Sequence, residues 1–158
     1  MIFSFLGLLS VSCKVSLSGA QTGEATSMSV SLFMNNASVV NPSLSQSITE
    51  DIRNYFQTQS PLIIVSSNAD MRISGEIMDY RVTPVAIGNT AAASNRLTIS
   101  IKVSFSNTKD SSKDFESTFS RFADFSASQN LEIVEKDLIS QINQQLAQDI
   151  FNKALINW

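Results

Sequence analysis

Histidine is absent from the chain. That removes at once the commonest general base at neutral pH and the commonest zinc ligand. A single cysteine, Cys13, excludes an intrachain disulfide and any cysteine-built metal cluster. Glycine is scarce and scattered, five residues in 158, so there is no glycine-rich phosphate loop and no Gly-x-Ser-x-Gly elbow. Without histidine a serine triad cannot take its usual form. Only 16% of residues are charged, 11 basic against 14 acidic, for a net charge of −3. No stretch concentrates the basic ones, which excludes a nucleic-acid surface. Carboxylates close in sequence, Glu50 with Asp51 and Glu132 with Glu135, fall on faces expected to be exposed on helices, where a solvated charge is the ordinary outcome and a desolvated catalytic pair is not. The sequence therefore offers no catalytic residue, no cofactor site and no metal site, and the chain is expected not to be an enzyme.

The N-terminus carries a processing signal. Residues Met1 to Ser12 read MIFSFLGLLSVS, and the apolar run Ile2 to Leu9 is far short of the about 20 residues needed to span a bilayer. It has the length of a secretory h-region. Val11 and Ser12 then lead into Cys13, an order that resembles a bacterial lipobox, in which the cysteine receives a diacylglyceryl group and becomes the new N-terminus. The leucine stands four residues before Cys13 instead of the usual three, and no Lys or Arg precedes Lys14. The expected organisation is a signal peptide over 1–12, a lipidated flexible tether over 13–26 and a single domain over 27–158. Two or three acyl chains, at about 0.8 kcal/mol per buried CH₂, anchor a protein stably.

Along the domain, hydrophobic periodicity alternates between two regimes. Met28, Val30 and Leu32 alternate with serines, as in a half-buried strand. Asn41–Pro42 reads as a helix start, followed by Leu44, Ile48, Ile52, Tyr55 and Phe56 on one stripe to about Thr58, where Ser60–Pro61 stops it. Leu62 to Val65 reads as a short strand. From Met71 to Thr83 the apolar phase flips near Gly75 to Asp79, which predicts a β-bulge. A small-residue loop fills Pro84 to Ser94. Leu97, Ile99, Ile101, Val103 and Phe105 then alternate with Arg96, Thr98, Ser100, Lys102 and Ser104, the signature of a sheet covered on one side only. Asn107 to Asp114 is a charged turn, and Phe115, Phe119 and Ala123 mark a last strand whose Phe122 faces the other way. Leu131, Val134, Leu138, Ile142, Leu146 and Ile150 keep helical spacing, with Ser128 or Asn130 as the cap.

Two helices, each with one apolar face, can both cover the apolar side of one sheet. The expected fold is a two-layer α+β sandwich, two helices packed on one face of a four- to five-stranded, mostly antiparallel sheet. Its opposite face, with Arg96, Lys102 and a row of hydroxyls, is left to water or to a partner.

Several long segments, in order, carry a resemblance. They are Val15–Ala20, Asn35–Ile52 (NNASVVNPSLSQSITEDI), Gly75–Ile87 (GEIMDYRVTPVAI), Asn95–Phe105 (NRLTISIKVSF), Phe119–Phe125 (FSRFADF) and Ile150–Trp158 (IFNKALINW). Together they resemble the Bacteroidetes branch of the LptE-type lipopolysaccharide-assembly lipoproteins over nearly the whole mature chain. The resemblance implies an outer-membrane lipoprotein that partners and plugs the large β-barrel translocon for lipopolysaccharide, helps it to assemble and contacts lipopolysaccharide during delivery. No acidic run follows Cys13, so the implied anchor faces the periplasm. On this reading the polar sheet face and the Pro84–Ser94 hairpin end enter the barrel, with Arg81, Arg96, Lys102, Thr98 and Ser100 as partner or lipopolysaccharide contacts. The alternative expectation is a periplasmic lipoprotein with the same fold that binds another envelope partner.

Overall fold

The computed structural model describes residues 19–39, 41–85 and 94–156. Cys13, the lipobox and most of the Pro84–Ser94 loop lie outside the described residues. The elements run β1 (Ser27–Val30), β2 (Met34–Asn35), α1 (Leu44–Gln59), β3 (Ile63–Ile64), β4 (Met71–Val85), β5 (Ser94–Asn107), β6 (Phe115–Ser126) and α2 (Leu131–Leu155), with a 3₁₀ turn at Ser111–Lys113 before β6.

The one-sided pattern of β5 organises the molecule. Leu97, Ile99, Ile101, Val103 and Phe105 are all buried, while their alternates face away. β5 lies between β4 and β6, antiparallel to both, from Val85↔Ser94 to Met71↔Asn107 on one side and from Ser94↔Ser126 to Phe105↔Phe115 on the other. The remaining strands differ from the sequence expectation. β1 pairs in parallel with both β3 and β4, and β2 pairs in parallel with β4. The sheet is thus six-stranded and mixed, in the order β3-β1-β4-β5-β6 with β2 beside β4. The reason is the α1 crossover. A strand-helix-strand connection brings the chain back in the same direction, and alternation alone carries no direction.

β1 is also shorter than its pattern. Leu32, expected in the core, is 62% exposed, and the fully buried Phe33 takes its place. The Phe33 ring covers Gly75 in the gap where β4 passes from β1 to β2. The bulge expected near Gly75 to Asp79 is present: Ile77 faces Ile101 but Asp79 faces Ser100, one residue out of step. The shift turns Tyr80 into the core, where its hydroxyl donates to Glu135 of α2. Burial, and then the Glu135 carboxylate, push the phenol above its ordinary pKa.

Both helices cover the same sheet face. α1 buries Leu44, Ile48, Ile52 and Phe56; α2 buries Leu138, Ile142, Leu146 and Ile150 and adds Ile139, Ala147, Phe151 and Leu155. Phe151 meets Tyr55 and Phe56 edge-on, with ring centroids 5.4 and 5.1 Å apart. Since Ser47 and Asp51 touch Asn143 while Tyr55 and Phe56 touch Phe151, the helices run parallel. α1 starts at Leu44 with Ser43 as its N-cap. Asn41, expected as the cap, folds its side chain over Ser43 instead, accepting from the backbone N–H at 3.0 Å and the hydroxyl at 2.8 Å. α2 is capped by Asn130, whose side chain accepts from Glu132 N–H at 3.1 Å.

The chain joins the domain at Gln21, whose N–H donates to Leu155 O at 2.7 Å. Asp70 fastens the next residues. Its carboxylate accepts from Thr26 N–H (2.9 Å), Thr26 Oγ1 (3.1 Å) and Ser27 Oγ (3.2 Å), and Lys109 Nζ lies 3.3 Å away. These partners, led by the Thr26 N–H, hold its pKa well below the usual carboxylate range. A carboxyl whose folded pKa is depressed stabilises the fold above its unfolded pKa and loses that contribution as pH falls towards the folded value. Asp70→Asn is therefore expected to be less stable than wild type at neutral pH. The gap between the two should shrink as pH falls below about 4, read from urea midpoints between pH 7 and pH 3.

Candidate functional site

With the helices on one side, the other face of β4, β5 and β6 is a broad polar wall. β4 alone, 15 residues long, extends about 50 Å at roughly 3.3 Å per residue. All five of the expected contact residues lie on this face. Arg81 pairs directly with Thr98, Ser100 with Ser120, Lys102 with Thr118 and with Glu76, and Arg96 with Asp124 and Thr83. Thr98 is the most covered of them, 9% exposed.

Each of the three cations also has a carboxylate beside it, supplied by the register for Arg96 and Lys102 and by its own strand for Arg81. Arg96 Nε and Nη2 donate to the two oxygens of Asp124 at 2.7 and 2.9 Å, and Lys102 Nζ lies 2.8 Å from Glu116 Oε1. Arg81 is paired with Asp79. Asp124 raises the Arg96 pKa and is itself lowered by Arg96; Glu116, and more weakly Glu76, raise that of Lys102. The Arg96 guanidinium also lies 3.6 Å from the ring centroid of Phe122, which faces outward and is 47% exposed. Ser100 and Ser120 are joined by a hydrogen bond of 2.8 Å. Sequence reasoning found the cations but not the cross-strand partners of Arg96 and Lys102: Arg96 and Asp124, for instance, are 28 residues apart and only the strand register makes them neighbours.

Pairs this exposed contribute little to stability. Their effect is to leave a flat face rich in donors and acceptors whose charges are balanced within it. A shallow hollow of about 260 Å³ lies on this face, lined in part by Met34, Glu76, Lys102 and Glu116. Among the described residues no group of three His, Cys, Asp or Glu side chains could hold a metal ion. Ser100→Ala is expected to leave the unfolding free energy within about 0.5 kcal/mol of wild type. A loss of more than about 1 kcal/mol in urea unfolding would make this face part of what holds the fold, not a surface available for docking.

Two carboxylates expected to be solvated are engaged instead. Glu135 accepts from Tyr80, and Asp51 Oδ2 accepts from the buried Asn143 Nδ2 at 2.8 Å. Arg121, in the core-facing phase of β6, reaches beyond the sheet to Asp149 of α2, with bonds of 2.6 and 2.7 Å.

A family model described as lipopolysaccharide-assembly matches residues 25–154. Three solved structures share the fold at low identity. Protein XCC0632 from Xanthomonas campestris aligns with a TM-score of 0.59 and 10% identity, over 87% of this chain and 90% of its own. Lipoprotein B from Nitrosomonas europaea gives 0.55 and 11%, over 90% and 88%. A minor lipoprotein from Acinetobacter baumannii gives 0.54 and 12%, over 82% and 91%. Comparison with curated proteins returns no match.

Proposed function

The chain belongs to the LptE family of lipopolysaccharide-assembly proteins, and from that premise we propose that it is an outer-membrane lipoprotein, anchored through Cys13, whose polar sheet face seats inside the β-barrel lipopolysaccharide translocon. Family membership gives the coarser statement directly: this is a non-enzymatic envelope lipoprotein with a role in lipopolysaccharide assembly. The finer reading is carried by one observation, the charge-balanced polar wall formed by β4, β5 and β6. The lumen of a membrane barrel is polar. A plug that docks there gains from matched hydrogen bonds and loses from unpaired charge, since an unmatched ion has no water to replace its shell. A wall that already neutralises its own ions avoids that loss.

Arg81, Arg96 and Lys102 are the proposed contacts for lipopolysaccharide phosphates, with Thr98 and Ser100 supplying hydroxyls beside them. Each cation must exchange a carboxylate partner for the phosphate, so these contacts are expected to be individually weak and salt-sensitive. The test is photo-crosslinking from position 100 in intact cells, with a probe at the exposed helix residue Gln57 as control. A covalent adduct with a large barrel protein from position 100 alone supports the proposal. Adducts only with another envelope protein favour the periplasmic alternative and sink the plug. Cys13→Ser is expected to abolish acylation and release the chain from membranes, checked by mass spectrometry of the mature N-terminus and by fractionation.

A further inference from the structure

A second feature lies on the far side of the molecule, where α1 and α2 leave an open groove of about 520 Å³, within the roughly 300–1,000 Å³ typical of small-ligand sites. The α2 wall is made by Gln141, Gln144, Gln145 and Gln148, and the α1 wall includes Asp51, Asn54 and Thr58, with Tyr55 between them. Exposed helix faces are ordinarily filled by Lys, Arg and Glu, and this one holds a run of glutamines at spacings of three and four instead. None of the four glutamine side chains hydrogen-bonds to another described residue.

The chemistry narrows the occupant. No Lys or Arg lines the groove, so an anion has nothing to bind. The single carboxylate, Asp51, is already held by Asn143 and Ser47, so a cation gains little. A partner helix docks through an apolar stripe, which the groove lacks. Each glutamine amide, by contrast, offers two donors and an acceptor, and a neutral amide sheds water at far lower cost than a charge. Such a surface matches a ligand whose groups both donate and accept, which is a neutral polyhydroxyl chain. From this we propose that the α1–α2 groove binds an uncharged oligosaccharide, with Gln144 and Gln148 as principal contacts and Asp51, fixed by Asn143, as an acceptor for sugar hydroxyls. The helix layer separates this groove from the polar sheet face, so both can be occupied at once and neither proposal depends on the other.

Two envelope glycans contain such neutral stretches, the outer sugars of the lipopolysaccharide chain and the N-acetylglucosamine units of the cell-wall backbone. The test titrates the full-length ¹⁵N-labelled protein in detergent micelles with each: a neutral outer-chain oligosaccharide of lipopolysaccharide freed of its acidic core sugars, and a neutral β-1,4-linked N-acetylglucosamine oligosaccharide. Glutamine side-chain NH₂ signals should shift in a saturable manner with one of them, which identifies the source. The Gln144→Ala/Gln148→Ala double variant should weaken that binding at least about tenfold, or about 1.4 kcal/mol, while both its melting temperature and its crosslink from position 100 remain at wild-type values. No shift with either glycan at millimolar concentration, or equal binding by the double variant, overturns the proposal.

Discussion

Gly75→Ala is expected to lower the unfolding free energy by about 3 kcal/mol, at the upper end of what overpacking costs in a well-packed core. A Cβ built at Gly75 falls 2.6 Å from the backbone oxygen of Lys102 and 2.8 Å from Cζ of the Phe33 ring, with Phe33 Cε1 closer still. The ring has little room to turn away, because Phe33 is fully buried and its N–H is bound to Thr49 Oγ1 at 3.1 Å. The Lys102 carbonyl belongs to β5 and cannot retreat without opening the β4–β5 ladder. One methyl group therefore has to displace both a core ring and a strand. The cost should appear in urea unfolding as a lower midpoint with an unchanged slope. A loss below about 0.5 kcal/mol would mean that Phe33 does not pack over Gly75 as described.

Asn143→Asp is expected to cost about 3 kcal/mol at neutral pH, the lower end of what an uncompensated buried charge costs. Asn143 is fully buried between the helices. Its Nδ2 donates to Ser47 Oγ at 3.0 Å and to Asp51 Oδ2 at 2.8 Å, while its Oδ1 has no hydrogen-bond partner among the described residues. The substitution replaces the donor by an anion facing Asp51, with no cation at hand. Burial and the like charge both push the new carboxyl's folded pKa above its unfolded value of about 3.9. The folded variant then binds more protons than the unfolded one between those two values, so its stability rises as pH falls through that window. Its deficit against wild type should be smaller at pH 5 than at pH 8. Asn143→Leu, in contrast, leaves only half-exposed partners that water can satisfy, and should stay within about 1 kcal/mol of wild type. If the Asn143→Asp protein proves as stable as wild type at pH 8, water reaches the helix interface and the burial argument fails.

The two surfaces proposed for function contrast in how they treat charge. The sheet face carries many ions and cancels them pairwise, through Arg96–Asp124, Lys102–Glu116 and Arg81–Asp79. The helix groove presents amides, and its one carboxylate is already engaged. The first suits seating against another polar protein wall, the second an uncharged ligand. Neither is a reaction cleft, in keeping with the non-enzymatic family to which the chain belongs.

Much of the architecture was legible in the residues because local periodicity records which side of an element is buried. The alternation from Leu97 to Phe105 determined the one-sided sheet, the stripes Leu44–Phe56 and Leu138–Ile150 determined the covering helices, and the phase flip after Ile77 located the bulge that turns Tyr80 inward. The absence of histidine and of a glycine-rich loop set the expectation of a chain that is not an enzyme, and it is family membership that supports it. What lay beyond the sequence depends on which distant segments meet. The parallel pairing of β1 with β3 and β4, the seat of Phe33 on Gly75, the carboxylates beside Arg96 and Lys102 and the contact of Ser47 with Asn143, 96 residues away, are all matters of register and packing. Periodicity fixes the face a side chain occupies, but its neighbour on that face is chosen only when the strands and helices close on one another.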